Sequence, residues 1–452
     1  MFIYLICSIL FILALRKLSS VRTAINGNNF AIAGIAIAVI SSFTSCTFDT
    51  KTLCIIAVIG FGGLIGWFIT KKIKMKDLPQ LVAAFHSLIG LAAVCTDTAI
   101  FLNPGVFNIG SFKSITSLIE IALGLAVGAI TFAGSAVACL KLCEKLKSNS
   151  IKNIHILNIL LVSALILPIF LFIKNANILM FIMIVLISTI LGCTMIVPIC
   201  GADMPVIVSM LNSLSGWAAT GIGLTLSNDL LIIVGALVGT SGAMLSNIMC
   251  KGMNRKLSSV VSVGFRSQRN QSKQISTQML VNQCVAEDVV FMLENTNSVI
   301  IVPGYGMAVS QAQHVIKELF DKLLTRGINV KFAIHPVAGR MPGHMNVLLA
   351  EANIRDNFVY ELDNINSEFA STDIVIVVGA NDTVNPSAKD DKQSAIYGMP
   401  VLEVWKAKTV VVIKRSLNPG YAGIDNALFS KQNTLMLLGD AKKVINDIVK
   451  QL

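Results

Sequence analysis

VIIVPGYGMAV, residues 299–309, is the stretch that decides the fold of this chain. A run of apolar, mostly β-branched residues ends at Pro303, and Gly304 and Gly306 follow before a helical pattern. A strand that enters a helix through glycines brings backbone N–H groups and the positive end of a helix dipole to a phosphate. Val309 stands at the third glycine of the dinucleotide fingerprint, so a tight turn in an ordinary α/β domain is the alternative interpretation.

The composition indicates a membrane protein with more than one domain. The 452 residues are 54% hydrophobic and only 13% charged, which is too apolar for a soluble chain of average make-up. A net charge of +11 would suit a nucleic-acid-binding protein. The basic residues, however, form short clusters between apolar runs, a pattern that membrane topology explains better.

Nine apolar runs suit membrane spans of about 20 residues. They are residues 2–18, 30–46, 52–70, 81–102, 115–140, 155–173, 178–198, 205–226 and 230–250. Basic clusters follow the first, third, fifth and ninth runs, so the positive-inside rule places the N-terminus outside and the C-terminal half in the cytoplasm. The first run is the least secure span because it is short.

Small residues three or four apart mark three of these runs and predict closely packed helices. The stripes are Gly124, Gly128, Thr131 and Ser135; Ser209, Asn212, Gly216, Thr220 and Gly223; and Gly235, Gly239, Gly242 and Ser246. Nine of the ten cysteines also lie at or before Cys250, scattered and without a CxxC pair. We interpret them as small packing residues and expect no metal site.

Two polar residues inside the spans are candidates for a proton pathway. His86 in the fourth run and Asn212 in the eighth lie about 8 to 11 Å below the same membrane surface, at 1.5 Å per residue. An imidazole that titrates near neutral pH can load a proton from one side and release it to the other. A structural histidine bonded to a backbone carbonyl is the alternative.

Three acids are further ionisable candidates. Asp203, in the cytoplasmic turn before the eighth run, is the strongest candidate for a role at the junction with the soluble half, because GADMP presents an acid just before the stripe that carries Asn212. Asp97 and Glu120 lie near the outer ends of the fourth and fifth runs, where an interfacial position is the simpler interpretation.

The second half alternates strands with helices. Strands are predicted at 298–303, 328–334, 357–362, 373–379, 408–413 and 434–438, and helices at 284–295, 307–326, 343–354, 364–370 and 440–451. This alternation indicates a parallel sheet with helices on both faces. The fold class is thus an α-helical transmembrane bundle of about nine spans, residues 1–252, a linker at 253–283, and an α/β Rossmann-like domain at 284–452.

The loops after the strands indicate which nucleotide would bind. The second strand ends at His335 without an acid for a ribose 2′-hydroxyl, whereas Lys414, Arg415 and Ser416 follow the fifth strand. Two cations and a hydroxyl suit a 2′-phosphate, which favours NADP over NAD. A solvated surface pair is the alternative. The segment behind it, NPGYAG, could close over a ligand with Tyr421 packed on it.

Several long motifs resemble the β subunit of the proton-translocating NAD(P) transhydrogenase family. They are FHSLIGLAA (85–93), GADMPVIVSMLNSLSGWAA (201–219), LSNDLLIIVGALVGTSGAMLSNIMCKGMNR (226–255), PGYGMAVSQAQH (303–314), HPVAGRMPGHMNVLLAEA (335–352), GANDTVNP (379–386), GMPVLEVWKA (398–407) and KRSLNPGYAG (414–423). The resemblance runs over nearly the whole chain.

The resemblance implies roles for individual residues. It assigns His86 and Asn212 to the proton pathway, and Asp203 to the contact between the membrane half and the soluble domain. It places NADP(H) on Gly304, Tyr305, Gly306, Met307, Ala308, Val309, Val337, Ala338, Gly339, Arg340, Met341, Pro342, Gly379, Ala380, Asn381, Asp382, Thr383, Lys414, Arg415, Ser416, Gly420, Tyr421, Ala422, Gly423, Gly439, Asp440 and Ala441.

The resemblance also implies the partners and the place of action. An α subunit would carry NAD(H) and the remaining spans, two of each subunit would form the enzyme, and a bacterial inner membrane would hold it. The function expected is hydride transfer between NADH on the partner and NADP+ on this chain, coupled to protons moving toward the cytoplasm. An ion channel or transporter gated by a nucleotide-sensing domain is the alternative from the residues alone.

Overall fold

The computed structural model describes residues 2–18, 23–44, 50–74, 77–103, 114–146, 154–199, 203–254, 257, 281–341, 343–392, 394, 396–420 and 422–452. The chain divides into two compact units. One comprises Met1–Lys147, Ile156–Val197 and Met210–Ala243, and the other Ser148–His155, Pro198–Ser209 and Met244–Leu452. The predicted linker lies mostly outside the described residues, so the three-part division remains a prediction.

Nine long helices occupy the described part of the first half. They are α1 (Phe2–Leu18), α2 (Ala24–Thr44), α3 (Thr50–Lys72), α4 (Leu78–Leu102), α5 (Ile115–Leu142), α6 (Ile154–Asn175), α7 (Ile178–Ile196), α8 (Met204–Thr225) and α9 (Asp229–Gly252). Eight of them, α2 to α9, are long and apolar enough to cross a membrane. Helix α1 has 17 residues, which is short for a span of about 20, as its sequence indicated.

The stripes of small residues hold helix backbones close together, as predicted. A Cβ added at Gly216 of α8 would lie 2.3 Å from the backbone nitrogen of Gly239 of α9. A Cβ added at Gly128 of α5 would lie 2.9 Å from the Cβ of Ala93 of α4. Without a hydrophobic drive between helices in lipid, such close approach supplies the van der Waals contact that holds them together.

Seven parallel strands form the sheet of the second half. They are β1 (Asn282–Gln283), β2 (Ser298–Pro303), β3 (Asn329–Ile334), β4 (Val359–Glu361), β5 (Ile374–Val378), β6 (Thr409–Lys414) and β7 (Thr434–Leu438). Their order is β1-β7-β6-β5-β2-β3-β4. The six predicted strands are confirmed within two residues at each end, and β1 was not predicted.

Helices connect and flank these strands. They are α10 (Ala286–Glu294), α11 (Tyr305–Ser310), α12 (Gln313–Thr325), α13 (His344–Glu351), α14 (Leu362–Ile365), α15 (Ser387–Asp390) and α16 (Ala441–Gln451). The single helix predicted at 307–326 is wrong, because Gln311 has a left-handed backbone with φ of 53° and separates α11 from α12. The one predicted at 364–370 is also wrong, since Leu362–Ile365 and a 3₁₀ turn at Phe369–Ser371 replace it.

The core of this domain lies on the central strands. Residues of β5 and β6 such as Val375, Val377, Val410 and Val412 are fully buried. Buried apolar runs on both faces are typical of a parallel sheet covered on each side. The strand order reverses between β2 and β5, and ligands of such sheets bind at this reversal, outside the carboxyl ends of the strands.

Candidate functional site

The loops after β2 and β5 meet backbone to backbone at the reversal of strand order. A Cβ added at Gly306 would lie 2.6 Å from the Cα of Gly379, and one added at Gly379 would lie 2.4 Å from the Cα of Gly306. Gly379 also has a φ of 64°, which favours glycine. The two glycines therefore bring two predicted nucleotide loops into contact.

Backbone hydrogen bonds connect the carboxyl ends of three neighbouring strands, β2, β5 and β6, along this edge. Gly304 N–H donates to the Val378 carbonyl at 2.9 Å, and Gly306 N–H donates to the Gly379 carbonyl at 2.9 Å. Gly379 N–H reaches β6 at the Ile413 carbonyl, also at 2.9 Å. The amides of Gly304 and Gly306 thus bind protein carbonyls in this structure, so these glycines shape the edge rather than offer free donors.

The loop after β3 packs the half-buried Arg340 and the buried His344 against Tyr305 of α11. Arg340 lies with its guanidinium carbon 4.6 Å from the ring centre of Tyr305, a cation–π contact. Arg340 N–H donates to Nδ1 of His344 at 3.1 Å, so the ring carries its hydrogen on Nε2. Burial and the nearby Arg340 charge lower the pKa of His344 to about 4, which keeps the ring neutral at physiological pH.

His335 opens the same loop and is almost completely buried. Val337 N–H donates to its Nδ1 at 3.2 Å, and its Nε2 lies 2.6 Å from the Pro400 carbonyl. The first bond requires a bare Nδ1, so Nε2–H donates to Pro400. Burial lowers the pKa of His335 to about 4, although the bond to Pro400 opposes that shift. His335 therefore fixes the loop and does not carry charge.

The loop after β6 lies on the loop after β5. Ala422 N–H donates to Oδ2 of Asp382 at 3.0 Å, and Asn426 donates to the Asn381 carbonyl at 2.9 Å. Lys414 Nζ donates to the Asn418 carbonyl. Burial lowers the pKa of the Lys414 ammonium, and the Asp382 carboxylate opposes this. The structure thus brings GANDT and KRSLNPGYAG together as one surface.

The last strand adds a charged pair. An Arg415 guanidinium nitrogen lies 3.5 Å from a carboxylate oxygen of Asp440, and Asp440 caps α16 by accepting from Lys442 N–H at 3.2 Å. All six predicted nucleotide segments therefore follow strands at the same edge of the sheet. Of the predicted nucleotide-binding residues, Pro342 and Tyr421 lie outside the described part of the chain.

The membrane half brings His86 against α8. Nδ1 of His86 lies 3.0 Å from the Ser215 hydroxyl oxygen, and both side chains are buried. The same hydroxyl lies 2.8 Å from the Asn212 carbonyl oxygen. Asn212 therefore meets His86 through Ser215, by its backbone rather than its amide. Asp203, one residue before α8, is 1% exposed.

Sequence reasoning did not single out Ser215. Its position three residues after Asn212 places it near the same face of a helix, and that spacing was the signal that could have found it. The structural roles of His335 and His344 had no such signal, because their partners Pro400 and Tyr305 lie in distant loops.

A comparison of the chain with known proteins gives a consistent result. Residues 1–451 match the model of the family described as NAD(P) transhydrogenase beta subunit. The chain is 50% identical over 455 residues to the NAD(P) transhydrogenase subunit beta of Rhodospirillum rubrum, covering 99% of this chain and 98% of that protein. The protein of the same name from a designated strain of that bacterium matches with the same identity and coverage. This chain belongs to the NAD(P) transhydrogenase beta subunit family.

Proposed function

We propose that this chain binds NADP(H) and exchanges hydride between it and NAD(H) held by an α subunit, coupled to proton movement through the helices. The observation that carries the proposal is the meeting of the predicted nucleotide loops at the reversal of strand order, through Gly306 and Gly379. This is the crevice in which doubly wound sheets bind dinucleotides.

The residues at this edge fit a dinucleotide with a 2′-phosphate. Lys414 and Arg415 lie at the carboxyl end of β6, and both now bind oxygen atoms of the protein, Asn418 O and Asp440 Oδ2. A 2′-phosphate would give Lys414 a charge-assisted bond in place of the neutral Asn418 carbonyl, and it would compete with the Asp440 carboxylate for Arg415. His335 and His344 are both neutral, so Lys414 and Arg415 have no competition from a charged histidine for the phosphate.

The bound nicotinamide supplies the hydride chemistry. The residues of this chain hold and orient it, and they exclude water from it. Direct transfer requires two nicotinamide rings within about 3 to 3.5 Å. We place the second ring on the α subunit, and we propose an assembly of two α and two β subunits.

Coupling requires that protonation in the membrane change the affinity of the nucleotide loops. We assign the protonation to His86, the pathway to His86 and Asn212, and the contact with the α/β half to Asp203. We further propose a bacterial inner membrane, with the N-terminus outside and the α/β half in the cytoplasm, so that protons enter the cytoplasm during NADP+ reduction.

The test uses the α–β complex in proteoliposomes. Reduction of an NAD analogue by NADPH is measured together with the internal pH. His86→Ala should retain NADPH binding and lose proton-linked turnover, whereas Lys414→Gln with Arg415→Gln should lower the preference for NADPH over NADH about tenfold. Proton movement that persists in His86→Ala would refute the assignment of the pathway. Equal binding of NADH and NADPH by the wild type would refute the nucleotide assignment.

A further inference from the structure

Asp97 is a buried carboxyl group inside the helix bundle. It lies on α4 and is 0% exposed, so the interfacial interpretation made from the sequence is wrong. Neither carboxyl oxygen has a hydrogen-bond partner among the residues that the structure describes. Its depth along α4 suited an interface, but its side chain faces the interior of the bundle.

Gly124 of α5 makes room for this carboxyl. A Cβ added at Gly124 would lie 2.6 Å from Oδ2 of Asp97, so any larger residue would collide with it. On α8, a Cβ added at Gly221 would lie 3.0 Å from the Cα of Gly124. The carboxyl therefore lies where α4 meets α5, with α8 packed behind, in a space that small residues leave for it.

The surroundings of Asp97 are apolar. Buried residues of the adjoining cluster include Ile100, Ile121 and Leu125. A carboxylate ion without a cation or a donor is strongly unfavourable in such a place, whereas the neutral acid does not carry this penalty. The packed arrangement therefore selects the form of Asp97 that holds a proton.

The charged groups on neighbouring helices do not change this conclusion. Glu120 lies in the second turn of α5 and is half-buried, Lys174 is exposed at the end of α6, and Asp229 is exposed at the start of α9. Helices α7 and α8 carry no carboxyl, imidazole or amine. No described cation from these elements reaches the carboxyl oxygens.

We propose that Asp97 is a second proton-binding site of the translocation pathway, in the half of the bundle opposite to His86. This inference rests on the proposed proton coupling. Eleven residues separate the two groups on α4, or about 16 Å along the helix axis. A hydronium ion transfers one proton to the carboxylate and leaves as water. The acid later returns that proton to water, or to a hydroxyl, on the way to His86.

One buried hydroxyl lies at the level of His86, and a second lies between the levels of His86 and Asp97. Ser135 is eleven residues after Gly124 on the antiparallel α5, which places it at the level of His86. Ser188 of α7 precedes by one turn Gly192, whose added Cβ would lie 2.6 Å from the Ile130 carbonyl. Both hydroxyl oxygens are fully buried and have no partner in the described structure. Each retains a donor and an acceptor for proton transfer.

Release of this proton requires water at the carboxyl, because the carboxylate ion needs a donor, and the close packing of Gly124 on Asp97 leaves it none among the described residues.

The test uses the full α–β complex in proteoliposomes and the variants Asp97→Asn, Asp97→Glu and Glu120→Gln. Asparagine has the shape of the neutral acid, so the fold is retained, and NADPH binding serves as the check. Infrared difference spectra on NADPH addition should show the carbonyl band of a protonated carboxylic acid, shifted in heavy water. Asp97→Asn should remove this band and slow proton-linked turnover about tenfold or more. Glu120→Gln should keep the carbonyl band and the rate of proton-linked turnover. Asp97→Glu, which keeps a carboxyl group, should turn over faster than Asp97→Asn.

Three outcomes would overturn the inference. The first is a carbonyl band that is unchanged in Asp97→Asn. The second is that Asp97→Asn moves protons at the wild-type rate while His86→Ala loses proton movement. That result would leave the proposed function standing and would show that Asp97 is a buried acid without a part in translocation. The third is hydride transfer by the wild type without proton movement. That result refutes the proposed function as well, and it is seen before any variant is made.

Discussion

Nδ1 of His86 and the hydroxyl oxygen of Ser215 lie 3.0 Å apart, and that hydroxyl is also 2.8 Å from the Asn212 carbonyl oxygen. A hydroxyl has one hydrogen, so it donates either to the imidazole or to the carbonyl. When Nδ1 is protonated it must donate to Ser215, which then donates to Asn212. When Nδ1 is bare, the hydroxyl can turn to it. The proton state of His86 thus determines a hydrogen bond within α8.

Replacement of Ser215 by Ala should weaken this link. The loss of one buried hydrogen bond costs about 1.4 kcal/mol, or about tenfold in rate. We expect Ser215→Ala to slow proton-linked reduction of an NAD analogue by about that factor, with NADPH affinity unchanged. Ser215→Thr keeps the hydroxyl and should retain most of the activity. If the threonine variant is as slow as the alanine variant, side-chain volume rather than the hydroxyl controls the rate.

The pattern of the sequence predicted most of the architecture, for a physical reason. Strands such as Ile374–Val378 are continuous apolar runs because both faces of a parallel sheet are covered. Strand β1, with Asn282 and Gln283, has no such pattern and forms by pairing with Leu435 and Met436, far along the chain. The break at Gln311 was also hidden, because its left-handed backbone, with φ of 53°, leaves no signal in the apolar pattern of residues 307–326.

The sequence reveals how deep a residue lies along its helix better than it reveals which neighbouring helix the side chain faces. Counting residues placed His86 and Asn212 at similar depths, but not the contact through Ser215, which depends on how α4 crosses α8. For Asp97, the count gave a position near a helix end, and only the approach of Gly124 shows that the side chain is enclosed. Depth follows from local spacing, whereas the face requires knowledge of the neighbours.

Gly306→Ala should damage the nucleotide edge. The new Cβ would lie 2.6 Å from the Cα of Gly379, and backbone cannot move aside as a flexible side chain can. We expect a loss of about 2 kcal/mol in the stability of the α/β half and at least about tenfold weaker NADPH binding. Titration of nucleotide fluorescence with the solubilised protein measures the affinity.

Gly327→Ala is the matched control for that variant. Gly327 has a φ of 80° and nothing within 4 Å of an added Cβ, so alanine there brings backbone strain of about 1 kcal/mol and no collision. It should lower stability while leaving NADPH affinity unchanged. Equal losses of affinity in the two variants would show that general destabilisation, not the contact between loops, weakens binding.

Asp373 should stabilise the end of the sheet opposite to the nucleotide edge. Its Oδ2 accepts from the N–H groups of Asn297 and Ser298 at 3.1 and 3.0 Å, and Lys408 donates to Oδ1 at 2.8 Å. Asp373→Asn should lower the unfolding free energy by about 2 kcal/mol at pH 7, because hydrogen bonds to a charged acceptor are lost. Lys408 is 70% exposed, so Lys408→Gln should cost about 0.5 kcal/mol or less.

The pH dependence gives a second check on Asp373. The bonds from Lys408 and Asn297 hold the pKa of this carboxyl well below its usual range. Its stabilisation is therefore complete above the unfolded pKa of about 3.9 and is lost as the pH falls further. The difference between the wild type and Asp373→Asn should shrink only below that pH. Urea unfolding followed by Trp405 fluorescence, in a Trp67→Phe and Trp217→Phe background, measures it. A difference that disappears near pH 6 would contradict the assignment.

His335 should give a separate and higher pH window. Its pKa is lowered to about 4 by burial, so the unfolded chain binds this proton more tightly than the folded one. The stability contributed by neutral His335 is complete above the unfolded pKa of about 6.5 and is lost progressively as the pH falls toward 4, by up to about 3 kcal/mol. His335→Gln, which cannot titrate, should reduce the slope of the stability curve between pH 6.5 and 4 by about half, because His344, whose pKa is also lowered to about 4, keeps its share. His314 is exposed on α12, so His314→Gln serves as the control for replacing a histidine at the surface. Urea unfolding followed by Trp405 fluorescence measures these slopes. If the slope of stability against pH is unchanged in His335→Gln, a buried group other than His335 binds the proton that destabilises the fold.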